Sequence, residues 1–312
     1  MTRVGVVDLG TNSTRLLIAD VADGAVRELD RRLEITRLGQ GVDERRQLLP
    51  EAVARVRNVL VDYRRAMDER RAERRLAFAT SAVRDAENGE AFLGELQWSY
   101  GFETRLLTGH EEALLTFRGV SVGRQIDEET LVVDVGGGST ELIVGGPDGV
   151  SFHESFDLGC VRLSERFPGD PPGAAAHVGE MLAREVPPRV RPRGAIGVAG
   201  TITQLATLDL GLEREEPDRV HGHRMSAEAV AALLEQLASL SIGELRELRG
   251  MHPLRAPVIV AGTVVVLEVL RRFELADLEV SERDIMHGAA LAAAELPAPI
   301  EGDAPPGAYT CC

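Results

Sequence analysis

Thr130-Leu-Val-Val-Asp134-Val-Gly136-Gly137-Gly138-Ser139-Thr140-Glu141-Leu-Ile-Val144 decides the fold. An apolar run ends in an acid, a turn of glycines and hydroxyl residues follows, and a second acid opens another apolar run. The pattern predicts strand, tight turn, strand. No turn side chain exceeds a hydroxyl in size, so several backbone N–H groups can approach one anion. Glycines that accept phosphate beside carboxylates that hold Mg²⁺ are the parts phosphoryl chemistry needs.

The stretch occurs twice. Val4-Gly-Val-Val-Asp8-Leu-Gly10-Thr11-Asn12-Ser13-Thr14-Arg15-Leu-Leu-Ile18 aligns with it without a gap at a shift of 126 residues. Asp8 falls on Asp134, Gly10 on Gly136, Ser13 on Ser139 and Thr14 on Thr140, while Arg15 falls on Glu141. A repeat of this length predicts two α/β halves of related fold, each opening with a β-hairpin whose turn points at a shared cleft.

The chain has 312 residues, enough for two domains of ordinary size. No apolar run reaches membrane-spanning length, no signal-peptide pattern precedes the first strand, and three cysteines give no disulfide framework. These features predict a cytoplasmic protein that does not engage a membrane. The net charge of −15 argues against general nucleic-acid binding. It would also repel a polyanionic substrate, which must then be held by local positive groups, backbone N–H groups and metal. Every fixed cation is arginine, because the chain contains no lysine. That excludes a P-loop lysine and a Schiff-base lysine and leaves the planar guanidinium for phosphate.

Further along, residues 25–38 read as a third strand, Pro50 opens a helix to about Asp68, and 75–79 form a buried strand. Arg84 follows one turn into a short helix. There it can serve as a phosphate ligand or as a structural Arg–Asp pair. Glu111 and Glu112 sit in the first turn of the helix after Thr108, a position acids occupy for capping alone. Residues 119–129 read as a hinge between domains spanning 1–124 and 125–296, the last helix packing back on the first domain. Strands at 130–135, 140–145 and 150–157 open the second half, and helices are expected at 161–166 and 174–186. Ala199-Gly200-Thr201 reads as a glycine turn into a helix, a second anion-binding N-terminus or an ordinary β–α junction. His221 and His223 are a weak metal signal. Helices are expected at 226–239, 241–248 and about 256–273. Residues 297–312 read as a disordered tail, with Cys311 and Cys312 incidental to it.

Several separated stretches together carry a resemblance: Asp8-Leu-Gly-Thr-Asn-Ser-Thr-Arg15, Ala79-Thr-Ser-Ala-Val-Arg-Asp-Ala86, Thr108-Gly-His-Glu-Glu-Ala113, Asp134-Val-Gly-Gly-Gly-Ser-Thr-Glu141, Gly159-Cys160 and Ala199-Gly-Thr201. In this order they resemble the exopolyphosphatase / guanosine pentaphosphate phosphatase family, in its short actinobacterial form. That family lies in the superfamily of acetate kinase, sugar kinases, heat-shock chaperones and actin. The resemblance implies two actin-like (ribonuclease H-like) domains related by duplication, with the active site in the interdomain cleft.

It also implies roles. Glu112 matches the family's catalytic base, with Glu111 a structural neighbour. Asp134 and Glu141 match residues that hold Mg²⁺, or Mn²⁺ in its place, and orient the attacking water; Asp8 faces them as a further metal residue. Arg84 matches a substrate-binding arginine. Asn12, Ser13, Thr14 and Arg15 on one side, and Gly136, Gly137, Gly138, Ser139 and Thr140 on the other, would grip phosphates, with Gly200 and Thr201 adding a third site. The implied activity is release of orthophosphate from inorganic polyphosphate ends. Hydrolysis of guanosine pentaphosphate is the nearest alternative; a superfamily kinase and a catalytically silent sensor are more distant ones. A homodimer stays open. Arg255-Ala-Pro257 and Ser281–Gly288 depart from the family pattern.

Overall fold

The computed structural model describes residues 1–297, so the tail expected at 297–312, with Cys311 and Cys312, falls almost wholly outside the described residues. The described residues divide into two compact units, Met1–Gly123 with residues 285–297, and Arg124–Asp284.

The first unit holds β1 (Thr2–Leu9), β2 (Thr14–Ala22), β3 (Ala25–Glu34), β4 (Arg74–Ala79) and β5 (Glu103–Leu106), ordered β3-β2-β1-β4-β5. β1, β2 and β3 are antiparallel neighbours, while β4 and β5 run parallel to β1. The second unit holds β6 (Thr130–Val135), β7 (Thr140–Gly146), β8 (Gly149–Phe156), β9 (Gly194–Val198), β10 (Arg224–Ser226) and β11 (Asp277–Val280), ordered β10-β11-β9-β6-β7-β8. Without the three-residue edge strand β10, the two orders coincide and both are the ribonuclease H-like arrangement of actin-like domains.

The repeat survives at the level of single hydrogen bonds. Asp8 pairs with Arg15 in the first ladder and Asp134 with Glu141 in the second. The Gly10 N–H donates to the Ser13 carbonyl at 3.0 Å, and the Gly136 N–H to the Ser139 carbonyl at 3.0 Å. Even the register shifts match, at Ile18/Ala19 and at Val144/Gly145. A bulge increases local twist, so both third strands leave their hairpins alike.

β1 is buried from Val4 to Leu9 because both of its faces are covered. Val7, Leu9, Leu16 and Ile18 pack on helices Pro50–Glu69 and Gly89–Tyr100. Val4, Val6, Leu17 and Ala19 face helix Ile285–Ala294, which returns to the first unit and crosses helix Gly109–Val120. In the second unit β6 and β7 pack beneath helices Pro171–Glu185, Ala199–Asp209 and Ile259–Arg272.

Three boundaries differ from the sequence reading for identifiable reasons. β3 ends at Glu34, not near Leu38, because residues 37–39 bond to the first hairpin turn instead of the ladder. The helix expected from 174 starts at Pro171, where proline needs no donor and Asp170 accepts the Gly173 N–H at 3.0 Å. Helix Gly109–Val120 consumes the start of the expected hinge.

The return helix fits closely. A Cβ on Gly288 would stand 1.9 Å from the Leu115 carbonyl oxygen. Gly288→Ala is therefore expected to push the two helices apart and destabilise the protein by about 1–3 kcal/mol, read as a lower urea midpoint.

Candidate active site

Each unit presents its hairpin turn at the carboxyl edge of its sheet, where open α/β sheets bind ligands. In the second unit, helix Cys160–Arg166 backs the turn. The Gly136 carbonyl accepts the Cys160 N–H at 3.0 Å. The Gly137 carbonyl accepts those of Val161 at 2.9 Å and Arg162 at 3.2 Å. The Gly138 carbonyl accepts Nε of Arg162 at 2.8 Å. A trans peptide points its C=O and the next N–H in opposite directions, and no peptide here is cis. The N–H groups of Gly137, Gly138 and Ser139 therefore turn away from the helix together, an arrangement of donors that can accept an anion. Gly159 permits this packing, since a Cβ there would lie 2.0 Å from the Gly137 oxygen.

The first turn is built the same way from different material. Its Thr11 carbonyl accepts the Gly39 N–H and its Asn12 carbonyl the Arg37 N–H, both at 2.9 Å. The N–H groups of Asn12 and Ser13 thus point away from that segment. Arg55 steadies it in turn, its Nε donating to the Thr36 carbonyl at 2.7 Å.

The two matched threonines turn inward. Thr14 is fully buried, its hydroxyl 2.9 Å from that of Thr36, and its carbonyl accepts the Tyr63 hydroxyl at 2.9 Å. Thr140 is 1% exposed and its hydroxyl donates to the Leu158 carbonyl. Both tie the start of the second strand to the segment behind the turn.

The charged side chains form two contrasting pairs. Arg15 closes on Asp8, Nε donating to Oδ2 at 2.8 Å and Nη2 standing 2.6 Å from the same atom. At the matched place in the second unit, Asp134 and Glu141 are opposed in register, and both are buried. Directly opposed residues point to the same face, and like charges there repel. Glu141 also accepts the Ser155 hydroxyl at 2.9 Å from the next strand. Two carboxylates on one face fit a hard cation such as Mg²⁺, which takes one or two protein carboxylates and fills its octahedron with water and phosphate oxygens. Among the described residues no cluster of three or more acidic, histidine or cysteine ligands forms a self-sufficient metal cage.

Glu111 and Glu112 part company. Thr108 caps the helix with its hydroxyl, which accepts the Glu111 N–H at 3.2 Å, while the Glu111 carboxylate accepts the Thr108 N–H at 2.8 Å. Those bonds, the backbone one first, hold the Glu111 carboxyl below its usual range. Glu112 instead points inward, 4% exposed, and takes Nη1 of Arg84 on Oε1 at 2.6 Å. The same nitrogen donates to the Leu107 carbonyl at 2.7 Å. Arg84 is thus paired with Glu112, not Asp85, in these bonds. Parallel pairing of β1, β4 and β5 puts the turn at 10–13, helix Ser81–Asp85 with Arg84 and the first turn of helix Gly109–Val120 with Glu112 at one sheet edge.

Ala199-Gly200-Thr201 departs from a plain glycine turn. Ala199 itself takes the left-handed conformation, with φ 68°. Gly200 receives the Arg255 guanidinium, since a Cβ would lie 2.0 Å from its Nη1. Thr201 hydrogen-bonds the thiol of Cys160, whose pKa burial pushes up. His223 bonds Asp209 at 2.6 Å, and Nδ1 of His221 accepts the Glu282 N–H at 3.2 Å.

The sequence did not single out Ser155, which bonds Glu141, or Arg162, which bonds the Gly138 carbonyl. One signal was present: Leu38-Gly39 and Leu158-Gly159 repeat the same dipeptide behind the two turns.

Residues 17–295 match the Ppx/GppA phosphatase family. The chain belongs to this family. Exopolyphosphatase 2 of Mycobacterium tuberculosis is 38% identical over 318 aligned positions, covering 94% of this chain and 99% of that protein. The crystal structure of an exopolyphosphatase-like protein is 33% identical with a TM-score of 0.87, covering 93% of this chain and 97% of the other. The Aquifex aeolicus member of the Ppx/GppA family is 30% identical with a TM-score of 0.80, again over 93% and 97%.

Two outcomes follow from the geometry. Gly159→Ala should displace the Gly137 peptide and weaken binding of a phosphate mimic such as tungstate by about tenfold or more, measured by calorimetry, about the weight of one charge-assisted hydrogen bond. The depressed Glu111 carboxyl stabilises the fold above its unfolded value, and that contribution is lost as pH falls through the lower folded value. Glu111→Gln should therefore lower the melting temperature near neutral pH, with the difference from the parent closing in acid.

Proposed function

We propose that the protein is a divalent-metal-dependent exopolyphosphatase that releases orthophosphate from the ends of inorganic polyphosphate. The observation that carries this reading is the glycine nest of three N–H groups directly beside the opposed Asp134–Glu141 pair. The relative named an exopolyphosphatase, matched over nearly its whole length, supports the substrate.

Each part has a task. The N–H groups of Gly137, Gly138 and Ser139 would hold oxygens of the terminal phosphoryl group, and those of Asn12 and Ser13 would offer an anion seat in the first unit. Preorganised donors stabilise developing charge without reorganising. Asp134 and Glu141 would hold Mg²⁺, which supplies charge neutralisation on the phosphoryl oxygens when bound. Glu112 would take a proton from the attacking water. The water oxygen forms the new P–O bond as the bridging P–O bond breaks, and the shortened chain leaves with the bonding electrons. Arg84 would orient the Glu112 carboxylate through the short bond to Nη1 and offer its remaining donors to phosphate. A water-activating glutamate suits hydrolysis better than transfer to a sugar hydroxyl.

Guanosine pentaphosphate, the alternative substrate that the sequence resemblance implies, ends in a phosphoanhydride of the same kind. No helix among the described residues is long and apolar enough to cross a membrane, in keeping with a proposed cytoplasmic pool of substrate.

The test is phosphate release from tripolyphosphate, long-chain polyphosphate and guanosine pentaphosphate, with Mg²⁺ or with chelator. Release from polyphosphate that chelator abolishes is expected; no release from any of the three would overturn the reading. Glu112→Gln should lower kcat by about 10²–10⁴-fold while substrate still binds. Unchanged turnover in that variant would remove Glu112 as the base.

A further inference from the structure

Ser81 opens the short helix Ser81–Asp85, and serine near a helix start ordinarily bonds the local backbone. Here the helix has no side-chain cap, and the Ser81 hydroxyl bonds the Thr11 hydroxyl at 3.0 Å, a partner 70 residues away in sequence. Both residues are buried, Ser81 at 2% and Thr11 at 7% exposure. Thr11 belongs to the first hairpin turn. Its methyl group faces Gly39, where a Cβ would lie 2.3 Å from Thr11 Cγ2 and 3.0 Å from the Ala82 side chain. The turn, the segment behind it and the short helix therefore meet at Thr11.

The helix that Ser81 begins also carries Arg84, three residues on and so on the same side. Nη1 of Arg84 donates to Glu112 at 2.6 Å and to the Leu107 carbonyl at 2.7 Å, and the Leu107 N–H donates to the Ala79 carbonyl at 2.9 Å. Five residues are too few to hold a helix by its own hydrogen bonds, so its place is set by what it packs against. Toward its end Gly89 packs close, since a Cβ there would lie 2.0 Å from the Val83 carbonyl oxygen. At its start the Thr11–Ser81 bond ties it to the hairpin turn.

We propose that Ser81 is a positioning residue for the reaction: through Thr11 it anchors the Arg84 helix to the first hairpin turn, and so fixes Arg84 against Glu112. The inference rests on the reading of Glu112 as the base. A guanidinium that orients a base acts on the chemical step, whose geometry tolerates little displacement. Removing the Ser81 hydroxyl also takes away the partner of the buried Thr11 hydroxyl, so either end of the bond should report the same loss.

The test is turnover of tripolyphosphate with Mg²⁺ by the full-length protein, Glu112→Gln, Ser81→Ala, Thr11→Val and their double variant, with Ser81→Ala and Thr11→Val each repeated in an Arg84→Gln background. Ser81→Ala should lower kcat about three- to tenfold with KM within about twofold, the weight of one hydrogen bond felt in the chemical step. Thr11→Val should lower kcat by a similar factor, and the double variant should be within about twofold of either single one. In the Arg84→Gln background Ser81→Ala should change kcat by less than about twofold, because the group it positions is gone. A serine that only stabilises the fold would cost the same factor in both backgrounds. That result, or multiplying effects of Ser81→Ala and Thr11→Val, overturns the inference while Glu112 stands. So does an unchanged kcat in Ser81→Ala beside a loss of about 10²-fold or more in Glu112→Gln. Unchanged turnover in Glu112→Gln removes the base and the inference with it, and no turnover by the parent removes the proposed activity and the inference together. If Ser81→Ala fails to fold by circular dichroism, Thr11→Val in the two backgrounds decides by the same outcomes.

Discussion

An antiparallel ladder sets directly opposed side chains on one face about 5 Å apart, and that spacing governs the charge logic of this protein. At such a distance two charges cannot ignore each other, least of all when burial removes water from around them. An acid at the end of β1 or β6 therefore fixes what its partner on the next strand can do. An arginine makes a closed ion pair, as at Asp8 and Arg15. A glutamate makes a two-carboxylate seat, as at Asp134 and Glu141. Ser155 belongs to the same row, lying opposite Glu141 on β8 and holding one of its oxygens.

The turns between those strands obey a second constraint, that every buried backbone carbonyl must find a donor. Residues 37–39 satisfy the first turn and residues 160–162 the second. Because each peptide is trans, meeting the carbonyls from behind turns the N–H groups forward. Glycine at 39 and 159 lets the backing segments come close enough, a Cβ at 39 lying 2.3 Å from the Thr11 side chain and one at 159 lying 2.0 Å from the Gly137 oxygen. The forward-facing N–H groups of the turn are thus a by-product of satisfying the backbone on the other side.

Much of this was legible in the sequence, for physical reasons. The gapless repeat gave the two hairpins, because identical register demands identical spacing of acid, glycine and hydroxyl. A capping position for Glu111 and Glu112 was legible from the helix's first turn, and a distinct role for Glu112 was implied only by the family resemblance; in the structure Thr108 binds Glu111 and leaves Glu112 to Arg84. Long-range satisfaction was not legible. Nothing local says that the Thr14 hydroxyl meets Thr36, that the Arg162 guanidinium braces Gly138, or that Arg255 fills the space beside Gly200. Three-residue β10 is too short to show alternation and exists through its pairing with β11.

The net charge of −15 poses the problem that a polyanion should avoid this surface. Screening limits that objection, since charges beyond about 8 Å are largely muted at physiological salt. What remains is the local field, and there the chain places arginines already held by other bonds: Arg15 by Asp8, Arg84 by the Leu107 carbonyl and Glu112, and Arg162 by the Gly138 carbonyl. A guanidinium held in place beforehand loses little conformational freedom when phosphate arrives. Lysine, a flexible point charge, could not be fixed by a planar fork in this way, and the chain has none. Under the proposed function, attraction at the turns would depend on where a few arginines are anchored, not on how many the chain carries.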